Sequence, residues 1–230
     1  MGRFISNTTV AIQGVRTVLD VIGSCACTWV VPAGITKATF EIWGGGGAGV
    51  AQCCCYCTQG GGGGYSGGYA LKSVTVTPGD SYTVCAGAGG AGAYCQSACF
   101  SCRGCTSYVT GAGLTNFCAE GGCGRSFTCC ASGCICQGGI TYGGDINIYG
   151  GTGGDASNFC GDTMCRFNFG AGSPFGGAQT GIWGNHCCPY ITCGCKGSFP
   201  GGGGTGHIKC CCDCCGCAGS GGEGLVRITY

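Results

Sequence analysis

The sequence predicts an all-β fold: an antiparallel, jelly-roll-like β-sandwich with long Gly/Cys-rich loops. Three observations predict it. Apolar and polar residues alternate strictly in short runs, the pattern of a half-buried strand. Of 230 residues, 55 are Gly and 29 are Cys, far above ordinary usage. Leu, Ile, Val and Phe total only 39, yet the net charge is just +1. Self-repulsion therefore does not hold the chain open, and order must come from something besides a large apolar core.

Residues 1–27 come first and differ from the rest, with three Gly and several β-branched residues. Val15, Val18, Leu19 and Ile22 have helical spacing, whereas Val10 and Ile12 alternate like a strand. So short an apolar segment ahead of a Gly-rich body suits a docking arm, leaving residues 28–230 as one glycine/cysteine-rich β domain. Trp29-Val30-Val31 then leads through the turn Pro32-Ala33-Gly34 to a strand, Lys37 to Trp43, whose Ala38, Phe40 and Ile42 share one face. A hairpin is expected from Tyr69 to Ala86. Val74 and Val76 lie on its core side, Pro78-Gly79-Asp80 forms the turn, and Tyr82, Val84 and Ala86 return. Leu225 to Tyr230 is the last strand, with Val226, Ile228 and Tyr230 on one face. Between the second and last of these units, roughly 87–222, Gly clusters, Cys clusters and aromatics interleave. A flexible linker rarely carries so many aromatics. This region reads as compact loops and short strands, or as packed, extended polyglycine-type helices.

The motifs at the two ends of the body carry a resemblance. Thr28-Trp29-Val30-Val31-Pro32-Ala33-Gly34-Ile35-Thr36, followed by Phe40-Glu41-Ile42-Trp43 and Gly44 to Gly47, resembles the opening of the glycine-rich domain of tailed-phage fibre and receptor-binding proteins. The similarity runs on through Gly60 to Gly64, Tyr65-Ser66-Gly67-Gly68-Tyr69, and Val74 to Asp80. It continues in Tyr82-Thr83-Val84 with Gly87-Ala88-Gly89-Gly90, and closes with Gly221 to Tyr230. It covers residues 28–90 and 219–230 well, and the middle only by composition. The resemblance implies a structural protein on a virion surface, a homo-oligomer (a trimer is favoured) docked to other virion proteins through residues 1–27. It also implies contact with a host surface glycan or protein. A capsid decoration protein without a receptor role, a Cys-rich metal-binding protein and a cell-derived coat protein are the alternatives. Cysteine is the departure: Cys85 stands where the family pattern would carry Thr or Val.

Three roles compete for the cysteines. Disulfides suit a thin core in an oxidising setting, although adjacent pairs such as Cys129-Cys130 cannot easily bridge each other. Metal is the second role. Cys99, Cys102 and Cys105 have ligand-like spacing, and His207 with Cys210, Cys212 and Cys215 forms the best candidate site. Third, the thiol is a small hydrophobe that packs between Gly backbones where Val would not fit.

Other functions lack a constellation of residues. Gly-x-Gly-x-x-Gly recurs only because Gly is so common, and no copy follows a strand and opens a helix ahead of an acidic residue. Only two His are present, and the nine acids are dispersed, so no catalytic residue and no cofactor site is nominated and the chain reads as a non-enzyme. Ten scattered basic residues argue against a nucleic-acid partner, and no apolar stretch reaches the length of a membrane span. Among the aromatics, Tyr65, Tyr108, Tyr142 and Trp183 are the candidates for flat faces that meet a sugar or a host protein.

Overall fold

A computed structural model describes residues 16–23, 26–50, 62–92, 101–124, 137–154, 169–179, 194–206 and 217–230. Among the described residues ten strands, all paired antiparallel, make two five-stranded sheets. In chain order they are β1 (Val18–Ile22), β2 (Ala26–Val30), β3 (Lys37–Trp43), β4 (Tyr69–Thr75) and β5 (Ser81–Cys85), then β6 (Ser107–Thr110), β7 (Cys118–Ala119), β8 (Thr141–Tyr142), β9 (Ile146–Ile148) and β10 (Leu225–Thr229). The first sheet has the order β1-β10-β3-β4-β9 and the second β2-β5-β6-β7-β8. Neither sheet closes into a barrel. The all-β sandwich is as expected, and Lys37–Trp43 is a strand with the expected bounds.

The core lies between the sheets. Ala38, Phe40 and Ile42 from β3, Val74 from β4, and Val226 and Ile228 from β10 face Trp29, Tyr82, Val84 and Val109 of the second sheet. Trp29 is its hub, packing edge-on against Phe40 with ring centres 5.6 Å apart, and against Tyr230 at 5.2 Å. Four interlocked aromatics thus substitute for the missing aliphatic bulk. Fully burying each such ring is worth about 2–3 kcal/mol.

Two expectations change. Tyr69 to Ala86 is not a hairpin: β4 pairs with β3 and β9, whereas β5 pairs with β2 and β6. Likewise β2 and β3, on either side of Pro32-Ala33-Gly34, belong to different sheets. Both turns carry the chain across the sandwich, and they pair with each other instead, Val31 N–H with Asp80 O at 2.9 Å and Gly79 N–H with Val31 O at 2.9 Å. Alternation reports which face is buried, not which neighbour a strand takes. Second, the ambiguous segment before Ile22 is a strand: β1 pairs along β10 from Val18↔Thr229 to Ile22↔Leu225. Part of the expected arm is therefore built into a sheet. Residues 1–15 lie outside the described residues.

Beyond the Trp43 end of the sandwich the glycines form a bundle of extended segments. Segment 44–50 shows its logic. The N–H groups of Gly44, Gly47 and Val50 bond to Gly68, Tyr65 and Gly62; those of Gly45 and Ala48 bond to Cys105 and Cys102; those of Gly46 and Gly49 bond to Gly222 and Gly219. Every third residue thus addresses the same neighbour, the period of a polyproline II-type helix, which makes no hydrogen bonds of its own. Its carbonyls meanwhile accept from three further segments, Gly122 to Gly45, Gly90 to Gly46 and Gly204 to Gly47. One backbone is thereby bonded to six others. Segment 62–68 repeats the pattern, addressing 151–154, 201–204 and 120–123 in turn.

Glycine is required because bonded backbones leave no room for a side chain. A Cβ on Gly46 would strike the carbonyl of Gly202, and one on Gly221 the carbonyl of Gly46. Segments 44–50, 62–68 and 201–206 are buried throughout. Where a polar side chain enters, it serves the backbone: the Ser107 hydroxyl accepts from Gly87 N–H and donates to Trp43 O, at 2.8 and 2.6 Å. A second apolar group, Trp43, Tyr69 and Leu225, covers the outer face of the first sheet where it meets the bundle.

Gly46→Ala forces backbone apart and should cost about 3 kcal/mol, lowering Tm by roughly 6–12 °C. Gly177→Ala, where an added Cβ meets nothing within 4 Å, should leave Tm unchanged or slightly raised. Thermal unfolding of the two variants side by side checks both.

Candidate functional site

The inward phase of the second sheet is set by Trp29, Tyr82, Val84, Val109 and Ala119, all buried. The alternate positions must then point outward. Strand pairing aligns them into a row, Ala26↔Cys85↔Tyr108↔Cys118↔Tyr142. Thiol and phenol alternate across four strands. A second row, Thr28↔Thr83↔Thr110, runs beside it. The face is a platform of aromatic rings, thiols and hydroxyls.

Two of the four aromatic candidates, Tyr108 and Tyr142, therefore share this row with one Cys between them. Tyr142 is 38% exposed, while Tyr65 is only 7% exposed, so Tyr65 belongs to the interior of the bundle and cannot offer its ring to a partner. Its backbone is what matters there, bonded to Cys123 at 3.0 Å and to Gly47 at 2.8 Å. Trp183 and the metal candidates His207, Cys210, Cys212 and Cys215 lie outside the described residues. Among the described residues no three His, Cys, Asp or Glu side chains come together as a metal site.

The two middle members of the row ionise less readily than a free phenol and a free thiol. The neighbouring Cys85, through its charge and its hydrogen bond, pushes the Tyr108 phenol above its ordinary range. Burial, and then the charge of Glu120, pushes the Cys118 thiol up. Neutral phenol and thiol both remain hydrogen-bond donors. Cys85 and Cys118 sit two strands apart, about 10 Å, beyond the roughly 7 Å a disulfide can span. Tyr108 keeps them separate, and both are thiols, as are Cys27, Cys102, Cys105 and Cys195.

The Cys102/Cys105 spacing has a simple origin. In segment 101–106 Gly104 is buried while Cys102 and Cys105 are exposed. A period of three places these two thiols on one outward line about 9 Å apart, so neither can bridge the other. Sequence reasoning could have found Cys85, which falls in the outward phase of Tyr82-Thr83-Val84-Cys85. Cys118 lies in a two-residue strand, too short to carry a periodic signal.

Residues 22–230 match the family model of the glycine-rich domain. The chain belongs to the glycine-rich domain family. No curated protein matches it in sequence. The matched residues start at Ile22, the last residue of β1, and β1 lies on the edge of β10.

Cys85→Ser removes the charge that opposes ionisation of Tyr108, so one tyrosine should titrate closer to the ordinary value of about 10. Ultraviolet difference titration against Tyr108→Phe reads this; identical alkaline profiles for Cys85→Ser and wild type would refute the coupling.

Proposed function

We propose that this glycine-rich domain is a structural subunit displayed on a particle surface, of the kind found in virion appendages, and that it works by rigid presentation rather than by catalysis. The observation that carries this reading is the polarity of the molecule. Thr17 and Tyr230 pair with each other at one pole, next to the turns at Pro32 and Pro78. The bundle ends at the other. Described residues that flank the cysteine-rich stretches meet there: Val50 with Gly62, Gly63 with Gly154, Gly154 with Phe169, Cys123 with Gln137 and Gly194 with Cys217.

Such a layout suits a subunit mounted by residues 1–15 at one pole and presenting its bundle outward. A lattice in which each backbone bonds to several others resists bending, as a presented tip requires. The Tyr108/Tyr142 platform on its flank has the chemistry of a surface for neutral, hydroxylated partners such as glycans: flat rings for stacking, with hydroxyls and thiols for hydrogen bonds. The sequence resemblance to tailed-phage fibre domains agrees with this reading.

Deletion of residues 1–15 is expected to leave a folded domain that no longer enters particles, while gold-labelled antibody against the intact protein decorates the outside of wild-type particles. Incorporation of the truncated chain, or label found only in particle-free fractions, would refute the mounting role.

A further inference from the structure

Among the described strands of five residues or more, β1 alone has no buried residue. Four of its five residues lie before the residues that match the family, and four are exposed, Val18 at 54% and Ile22 at 58%. Leu19, which pairs with the core residue Ile228, is still 39% exposed. Only Val21 packs against the core, and only partly. The strand is held by its ladder with β10 and by one specific contact, a two-pronged ion pair in which Arg227 Nε and Nη2 each donate to Asp20 at 2.8 Å. Elements with so little buried apolar surface open at far less than the global unfolding free energy.

The link that follows is short. Three residues, beginning with Gly23 at a φ of +91°, separate β1 in the first sheet from β2 in the second. Packed sheets stand about 10 Å apart, and four Cα steps reach at most about 14 Å. Short links between elements that must fold back on each other are the ones that favour exchange between copies. The groove along β10 already states which strand it accepts: five residues in fixed register, with an acid opposite Arg227.

We propose that β1 is an exchangeable strand, and that in the assembled protein the β10 edge of each subunit is filled by Val18–Ile22 of a second copy. Exchange keeps every contact of the ladder and relieves the short link, so association needs no new surface. It would also join subunits at the pole proposed to be mounted, although the exchange and the mounting can each hold without the other.

The Asp20–Arg227 pair supplies the test. Asp20→Arg and Arg227→Asp, each alone, set like charges against each other, and each is expected to lower the fraction of associated protein roughly tenfold or more at equal concentration. Mixed, after brief exposure to mild denaturant, they should form a one-to-one heterodimer by native mass measurement. In that pairing the two reversed side chains, one from each variant, face each other with opposite charge, and the second junction is wild type. Should either variant fail to fold alone, co-expression gives the same readout, because only exchange can rescue both chains together. The double variant D20R/R227D controls for folding. A wild type that stays monomeric at all concentrations, association indifferent to either single reversal, or no heterodimer on mixing or co-expression would overturn the proposal.

Discussion

The structure depends on a backbone-to-backbone contact repeated with a period of three. Where an α-helix satisfies its own N–H groups, a segment such as 44–50 hands them in turn to three neighbours, and its carbonyls receive from three more. A buried backbone must pair its polar groups, and this lattice pairs them with almost no side chains. The apolar stock is thin, so the hydrogen bonds and the dense contact of the chains carry what a larger core would otherwise supply. Each such bond nets only about 1 kcal/mol, but breaking one inside the bundle exposes its partners to the full cost of burial without compensation.

The rest of the architecture follows from that contact. The segments need a template that starts them side by side, and the sandwich provides it: Trp43, Tyr69, Ser107 and Leu225 are at once strand ends and the first layer of the bundle. Side chains inside the lattice are few: apolar ones such as Ala48, Val50 and Tyr65, and hydroxyls that complete its hydrogen bonds. Thr205 is fully buried, yet its hydroxyl accepts from Cys195 N–H at 2.6 Å. The thiols of Cys102 and Cys105 stand on the exterior, on one line. There the same period that seats Gly104 against Gly45 keeps neighbouring cysteines too far apart to bridge.

Much of the sandwich was legible in the sequence because burial on one face imposes a period of two. Phe40, Ile42, Tyr82, Val84, Val226 and Ile228 all lie where alternation puts them. Connectivity was not legible. A Pro-Gly turn between two alternating runs reads as a hairpin whether the chain turns back within a sheet or crosses to the other, since side-chain phase is the same in both. The bundle was half legible: interleaved aromatics argued for packing, but glycine has no side chain whose pattern could expose a period of three. Of the candidate platform, Tyr108 and Tyr142 were singled out one by one. Their placement in a single row with Cys85 and Cys118 depends on register between strands far apart in sequence, which no local pattern records. Tyr65 misled because an aromatic flanked by glycines resembles a displayed residue as closely as a packed one.

The glycine runs are an ordered hydrogen-bonded lattice and not a tether, and amide hydrogen exchange on the intact protein tests this most directly. The amides of Gly44 to Gly49 and Gly63 to Gly68 should exchange as slowly as those of Phe40 and Ile42 in β3, near the limit set by global unfolding. Exchange of those glycine amides at the rate of an unstructured peptide, with β3 still protected, would contradict it.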